Sequence, residues 1–194
     1  HVLAQAGITL NQVDALAFGR GPGSFTGVRI GAGIAQGLAF GANLPVIPIS
    51  NLAAMAQAAY VQYQAETVLS AIDARMNEVY FAQWQAQKVR SDFGTFLQWQ
   101  PVIEEQVCNP QNVLEQLARQ EHSGAVLVGT GWAAYPKLAE ANLGKTTDIT
   151  LPSALYMLDL ALPQWFAGQA ISPLEIEPIY LRNEVTWKKL PGRE

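Results

Sequence analysis

The sequence has few of the residues on which metal sites, disulfides and nucleophilic catalysis depend. Its 194 residues include one cysteine, Cys108, and two histidines, His1 and His122. A single cysteine excludes an internal disulfide and is typical of a reducing compartment, so we expect a cytoplasmic protein. The histidines form neither an H-x-x-x-H nor an H-E-x-x-H pair, which argues against a histidine-based metal site and against a metalloprotease.

Charge is also scarce. Charged residues make up 14% of the chain, and the formal net charge is −4. Such a chain has no basic field that would bind nucleic acid by charge alone, so any contact with tRNA is expected to be indirect or weak. The mildly basic end of the chain, from Arg182 to Glu194, is open to two interpretations, a solvated tail or a weak RNA contact.

Long hydrophobic runs are absent as well. No apolar run reaches the roughly 20 residues that a membrane-spanning helix needs, so no membrane segment is expected. Hydrophobic residues nevertheless account for 49% of the chain, which is far from the composition of disordered proteins. The chain is therefore expected to bury one sizeable core or two smaller ones.

The candidates for catalysis are isolated from one another. Cys108 has no histidine nearby in the sequence and is expected to be a small core or loop residue rather than a nucleophile. Ser24 has no evident base partner. Asp73 and Arg75 flank a predicted tight turn, where they form either a functional pair or a turn-stabilising carboxylate beside a solvated guanidinium. No catalytic residue and no metal ligand are predicted.

Glycine is concentrated in one place, since four of the nine residues at positions 19–27 are glycine. This stretch follows a predicted strand at 13–18 and precedes a predicted helix at 25–43. A strand, a glycine-rich turn and a helix N-terminus form the generic anion site. The stretch matches neither common nucleotide-binding motif and has no lysine, so a tight turn with close backbone packing is the alternative. The residues of a vestigial phosphate loop would be Gly21, Gly23, Ser24, Thr26 and Gly27.

The helix predicted at 25–43 carries five glycines, each of which costs a helix roughly 0.5–1 kcal/mol relative to alanine. Small residues recur in it every four positions. Close approach of another helix is the usual compensation, and the neighbour is either the chain's own sheet, another of its helices or a second chain. The two rows of small residues are Gly27, Gly31, Ala35 and Ala39, and Gly33, Gly37 and Gly41.

The order of the predicted elements changes near residues 64–67. Before that point, strand, helix, strand and helix follow one another, which implies parallel strands joined by crossover helices. After it, a hairpin with its turn at 75–77 is followed by a third strand and then mainly by helices. The sequence therefore predicts an α/β protein with two lobes.

The sequence contains four distinctive motifs, GRGPGSFTGVRIGAGIAQGLAFG, AIDARMNEVYFAQW, VGTGW and PIYLRNEVTWKKLPGRE. Together they resemble the bacterial TsaB family, also called YeaZ, and the resemblance extends from about residue 3 to residue 194. It implies the two-lobed fold of actin and of Hsp70-like ATPases, which is ribonuclease H-like. Residues 1–64 would be what remains of the N-terminal lobe, and residues 65–194 the second lobe, with the C-terminal segment returning to the first.

The same resemblance implies a function without catalysis. Family members are non-catalytic relatives of the enzyme TsaD, which carries the metal-binding histidine pair that this sequence lacks. With TsaD and the ATPase TsaE they help to make N6-threonylcarbamoyladenosine on tRNAs that read codons starting with A. The implied role is a scaffold that activates TsaD, with no cofactor of its own and with ATP or ADP only at the level of the complex. The alternative is a nucleotide-binding or ATP-hydrolysing enzyme of the same fold that uses residues 19–27.

The resemblance also implies a partner surface. In the family this surface lies on the first two helices of the N-terminal lobe, and the second of them corresponds to residues 25–41. The same surface supports homodimers when the partner is absent. The residues expected at the partner interface are Gly27, Ile30, Gly31, Ile34, Ala35 and Leu38.

One departure from the family concerns the start of the chain. Family members begin with a β-hairpin and a third strand before the first long helix, of which this sequence has only HVLAQAG. The chain is therefore expected to be truncated by several dozen residues and to lack a phosphate-contacting loop, so neither nucleotide nor partner binding would be intact. The remaining sheet would expose an edge, which we expect another chain or a swapped segment to cover.

Overall fold

A computed structural model describes residues 1–182, and residues 183–194 lie outside the described part. Lys188, Lys189 and Arg193 of the predicted basic tail are among the latter. No helix within residues 1–182 combines the length and the hydropathy that a membrane span requires. The α-helices are α1 Val2–Ala6, α2 Phe25–Ala42, α3 Asn51–Tyr63, α4 Pro110–Leu117, α5 Gly131–Ala134, α6 Pro136–Ala139 and α7 Met157–Phe166. The strands are β1 Leu16–Gly21, β2 Val46–Ser50, β3 Thr67–Arg75, β4 Glu78–Ser91, β5 Gly94–Cys108, β6 Val126–Val128 and β7 Lys145–Thr146.

The first sheet pairs β1 with β2 in parallel, as the sequence predicts, and α2 is the crossover between them. On the side of α2 that faces the sheet, Ala32, Ala35 and Ala39 are buried in one core with Phe18 and Val46. Small side chains at these positions let the helix backbone lie close to the strands. The core of the first sheet is therefore built on alanine from the helix and on larger residues from the strands.

The bounds of β1 differ from the prediction, because the strand begins at Leu16 and continues to Gly21. Its ladder with β2 pairs Gly19 with Ile49 and Gly21 with Ser50, with a register shift between the two pairs. Pairing with a parallel neighbour outweighs the weak strand propensity of glycine here. The first part of the glycine-rich stretch is consequently strand, and the turn itself is confined to residues 22–24.

Ser50 is a residue type that favours the N-cap position, and helix α3 begins directly after it, with the Ser50 hydroxyl accepting a hydrogen bond from the N–H of Ala53 at 3.0 Å. The sequence indicates one apolar face, but α3 is buried on nearly all sides because both sheets contribute to the core around it. Even Gln57 is only 3% exposed. Its amide accepts from the indole of Trp99 at 2.9 Å and donates to Asp159 at 3.1 Å.

The second sheet has the strand order β5–β4–β3–β6–β7. Strands β3, β4 and β5 are antiparallel neighbours, which confirms the predicted hairpin and third strand. Strands β6 and β7 extend the sheet in parallel on the other side of β3. At the turn between β3 and β4, Arg75, Met76 and Asn77 all have positive φ, at 63°, 54° and 60°.

The last described segment returns to the first sheet. Helix α7 packs against β1 and β2, and Ile171 forms an antiparallel bridge with Val46. Further along, the N–H of Ile179 donates to the carbonyl of Arg20 at 3.0 Å. We call residues 171–182 the strap, because this stretch runs from the edge of β2 across the end of β1.

Glu105, on β5, joins the two sheets. Its carboxylate pairs with Arg20 of β1 at 2.8 Å and accepts a hydrogen bond from the hydroxyl of Ser50 at the end of β2. The side chain of Glu105 is only 11% exposed. Its removal would leave the guanidinium of Arg20 without its partner in a poorly hydrated place.

Glu105→Ala is expected to lower the free energy of unfolding by about 1–3 kcal/mol, because a half-buried ion pair and a charge-assisted hydrogen bond are lost together. The neighbouring Glu104 is exposed, so Glu104→Ala should change the free energy of unfolding by less than about 0.5 kcal/mol. Urea denaturation of the two variants measures the difference. Equal effects would contradict the role of Glu105 in joining the sheets.

Candidate functional site

The turn between β1 and α2 is held by close packing of its backbone. Gly21 has φ of 103°, and a Cβ there would come within 3.3 Å of the carbonyl oxygen of Ile179. Ser24 is the N-cap of α2, and its hydroxyl accepts from the N–H of Gly27 at 3.1 Å. Of the residues predicted for a vestigial phosphate loop, Gly21 is buried, Gly23 is half-buried, and Ser24, Thr26 and Gly27 are exposed.

A cleft of about 740 Å³ opens beside this turn. The glycine-rich turn lines one side, and the turn between β3 and β4 lines the other, with Thr130 and Arg182 also contributing. Asn51 also lines the cleft, and its side-chain amide donates to the carbonyl of Pro22 at 3.0 Å. Of the residues predicted for a phosphate loop, Gly23, Ser24 and Gly27 thus line a cleft large enough for a small ligand, whereas Gly21 and Thr26 do not line it.

The positive charge around this cleft is already paired. The guanidinium of Arg182 donates to the carboxylate of Glu78, from Nε at 3.0 Å, and to the carbonyl of Ala74 at 3.1 Å. Arg75 pairs with Asp73 at 3.3 Å, although its side chain is 87% exposed. None of the described residues that line the cleft is a lysine. The cleft therefore offers little free charge to a triphosphate, which needs cationic partners.

Asp73 stabilises the turn between β3 and β4. Its carboxylate accepts from the N–H of Arg75 at 2.9 Å and from the hydroxyl of Tyr135 at 2.8 Å. Burial acts to raise the pKa of Asp73, but these two hydrogen bonds and the charge of Arg75 outweigh it and hold the pKa below its usual value. Of the two interpretations from the sequence, the geometry favours the turn-stabilising one.

The second glycine-rich turn, after β6, positions Thr130 at the cleft. Gly129 has φ of 102°, and a Cβ there would overlap the carbonyl group of Ala71 on β3. This close approach brings the hydroxyl of Thr130 to 3.1 Å from the N–H of Asp73, from which it accepts a hydrogen bond. The indole of Trp132 donates to the carbonyl of Val128 at 3.0 Å and closes the turn.

Cys108 lies at the end of β5 and is buried. Burial, together with the nearby charge of Glu78, raises the pKa of its thiol to about 11. The thiol is therefore protonated at neutral pH and is a poor nucleophile. Among residues 1–182, no group of three or more His, Cys, Asp and Glu side chains could hold a metal ion.

Helix α2 presents a row of large apolar side chains away from the sheet. Ile30, Ile34 and Leu38 follow one another every four residues and are 57%, 58% and 48% exposed. Gly27 and Gly31, also predicted for the partner interface, are exposed beside them. Ala35 is also predicted for the partner interface, but it is 8% exposed and faces the sheet, so it is not part of this exposed surface. We call Gly27, Ile30, Gly31, Ile34 and Leu38 the α2 face.

The glycines of α2 have no neighbours in the described part of the chain that would explain them. A Cβ added at Gly31, Gly33, Gly37 or Gly41 would meet no atom within 4 Å. Gly27 differs, because a Cβ there would lie 2.6 Å from the hydroxyl of Ser24, which caps the helix. Five glycines destabilise a helix by about 2.5–5 kcal/mol relative to alanine, and intramolecular packing does not require four of them.

Comparison with known proteins identifies the family of the chain. Residues 1–163 match the family model of TsaD, tRNA N6-adenosine threonylcarbamoyltransferase. Over its whole length the chain is 67% identical to the tRNA threonylcarbamoyladenosine biosynthesis protein TsaB of Haemophilus influenzae, of which it covers 80%. It is 47% identical to TsaB of Escherichia coli, of which it covers 81%. The solved structure of YeaZ from Pseudomonas aeruginosa matches with a TM-score of 0.79 at 37% identity, over 92% of this chain and 80% of that one.

These matches do not depend on the glycine-rich stretch alone. The family model spans strands of both sheets, and the identities to the two TsaB proteins extend over the entire chain. They confirm both the resemblance that the motifs indicate and the α/β fold. The chain belongs to the TsaB family, also called YeaZ, of tRNA threonylcarbamoyladenosine biosynthesis proteins.

Proposed function

We propose that this chain is a non-catalytic activator in the synthesis of N6-threonylcarbamoyladenosine on tRNA, and that it acts by binding a TsaD-like catalytic subunit through the α2 face. The observation that carries the proposal is the exposure of Ile30, Ile34 and Leu38 beside glycines that no described part of the chain covers. Large apolar side chains next to flat glycine surface are typical of a helix that receives another helix.

The likeness to the catalytic family supports this choice of partner. The family model that matches residues 1–163 is that of TsaD itself, so the two subunits are expected to share a fold. A partner of the same fold carries a helix in the place of α2. Two such helices can pack against each other around an approximate two-fold axis, as in a homodimer. The same geometry accounts for our proposal that the chain forms homodimers when the partner is absent.

The residues of the site support an absence of catalysis in this chain. The thiol of Cys108 is buried and protonated, and the carboxylate of Asp73 is engaged in holding a turn. The arginines at the cleft are paired with carboxylates. We therefore assign the chemistry to the catalytic subunit. ATP or ADP and a TsaE-like ATPase would belong to the complex as a whole, and this chain would contact tRNA only indirectly or weakly.

Calorimetric titration of the chain with the TsaD-like subunit of the same organism tests the proposal. We expect a one-to-one complex with a dissociation constant in the micromolar range or below, as is usual for specific complexes of standard interface size. Size-exclusion chromatography should show the two chains eluting together. Separate elution at tens of micromolar of each chain, with no heat of binding, would rule out direct binding.

A second candidate, nucleotide binding, is favoured by one observation, the cleft of about 740 Å³ beside the glycine-rich turn. Titration of the chain with ATP decides between the two candidates. Because the arginines are already paired, we expect no heat at millimolar ATP. Micromolar binding of ATP to the isolated chain would instead favour a nucleotide-binding enzyme.

A further inference from the structure

The strap contacts α2 on the flank that does not carry the α2 face. We propose that the strap holds the first turns of α2 in the conformation that binds the partner, and that Tyr180 and Arg182 are the residues through which it does so. The inference rests on the proposed function of α2. It adds residues that lie outside the partner surface and position that surface for binding.

Helix α2 needs such support because its first turns are weak. Of residues 25–31, only Val28 is buried. Two of these residues, Gly27 and Gly31, are glycines, which favour the unfolded state of the backbone. A helix end with few buried contacts opens more readily than the rest of a protein. Partner binding would have to order this end unless the chain has already done so.

The strap contacts α2 at its start and near its middle. Halfway along the helix, the amide of Gln36 donates to the carbonyl of Pro173 at 2.9 Å. Ile176 is buried in the same core as Ala32 and Ala35 of the helix. The middle of α2 is therefore fixed between the first sheet and the strap.

At the start of α2 the contact is made by an arginine and two aromatic rings. The guanidinium of Arg29 lies 3.3 Å from the ring centre of Phe25 and 4.7 Å from that of Tyr180. The two rings are 6.4 Å apart. A cation over aromatic faces is attracted to both of them, so Arg29 connects the first turn of the helix to the strap.

The strap is anchored on both sides of this contact. On the N-terminal side, Ile171 and Val46 exchange two backbone hydrogen bonds, at 2.8 and 2.9 Å. On the C-terminal side, Arg182 binds Glu78 and the carbonyl of Ala74 at the turn between β3 and β4. Arg182 is two residues from Tyr180. Loss of the contacts of Arg182 is therefore expected to make the ring of Tyr180, which contacts Arg29, more mobile.

Hydrogen exchange in the isolated chain tests the inference without the partner. Arg182→Gln and Tyr180→Ala should each make the amides of residues 25–36 exchange at least about threefold faster, the effect of losing one exposed cation–aromatic contact. Arg75→Gln is the matched control, because Arg75 lies on the same turn as the anchor but pairs with Asp73. It should leave the exchange of α2 unchanged.

Partner affinity and a rescue variant distinguish a strap that positions α2 from one that only stabilises the whole fold. Both strap variants should bind the TsaD-like subunit about three- to tenfold more weakly, in proportion to the faster exchange. Adding Gly33→Ala to Tyr180→Ala should slow the exchange again, because alanine favours helix and its Cβ meets nothing at this position. If the strap only stabilised the fold as a whole, Gly33→Ala would slow amide exchange in other parts of the chain as well as in α2.

The outcomes separate this inference from the proposed function. Unchanged exchange in α2 for both strap variants would overturn the inference, even if the chain binds its partner. Faster exchange with unchanged partner affinity would overturn it as well. An unaltered chain that fails to bind the TsaD-like subunit would overturn the proposed function, whereas the exchange data would still decide whether the strap holds α2.

Discussion

Gly31→Leu is expected to abolish binding of the TsaD-like subunit, with at least about a 100-fold loss of affinity, because a leucine there would hold two closely packed helices apart. The isolated chain should tolerate the change. A Cβ at Gly31 meets no atom within 4 Å, and leucine favours helix over glycine. The free energy of unfolding should therefore stay the same or rise slightly, by about 0.5–1 kcal/mol.

The choice of position matters for this test. At Gly27 a Cβ would lie 2.6 Å from the hydroxyl of Ser24, which caps α2. A loss of binding in Gly27→Leu would therefore also reflect a damaged helix start, whereas Gly31→Leu isolates the partner contact. Ala133→Leu, at an exposed position of α5 in the other part of the molecule, is the matched control and should bind normally.

Calorimetry for affinity and urea denaturation for stability measure both halves of this prediction. Normal binding of Gly31→Leu would mean that the α2 face is not the partner surface. A large fall in the free energy of unfolding would mean that Gly31 has an intramolecular role that the structure does not contain. Only loss of binding with retained stability agrees with the proposal.

Gly129→Ala is expected to lower the free energy of unfolding by about 3–5 kcal/mol, because two separate penalties act at one position. The residue has φ of 102°, a conformation that alanine rarely adopts. In addition, the new Cβ would overlap the carbonyl group of Ala71 on the neighbouring strand β3. Either β3 or the turn after β6 would have to move, and both line the cleft.

Gly124→Ala is the matched control for this prediction. Gly124 also has positive φ, at 70°, but a Cβ there would meet no atom within 4 Å. Only the backbone strain remains, so a loss of about 1 kcal/mol is expected. Urea denaturation of the two variants gives the difference, and equal losses would show that the close approach to Ala71 contributes nothing to stability.

Much of the local structure could be predicted because its causes are local. Ser50 and Asn109 each cap the helix that follows by accepting a backbone N–H, as the residue types predict. The hairpin turn at residues 75–77 is likewise where the pattern of apolar residues placed it. Such signals depend on a few consecutive residues, so they can be recognised without knowledge of the rest of the fold.

The errors arose where distant parts of the chain meet. Gly19 to Gly21 form strand because β2 pairs with them, and no property of the glycines themselves indicates this. Helix α3 is buried on nearly all sides because both sheets surround it, whereas its own pattern indicates a single buried face. Sequence periodicity records which residues are apolar but not how many neighbours cover them.

The case of α2 separates the two sources of information most clearly. By itself the sequence determined a helix with two rows of small residues, the family of the chain and the absence of a catalytic histidine pair. It could not decide which members of these rows face the sheet, because glycine and alanine are small enough to pack on either side. Only the tertiary structure decided that Ala35 faces inward and Gly31 outward. The reason is physical: the face of a helix that becomes buried depends on the strands that pack against it, and these come from other parts of the chain.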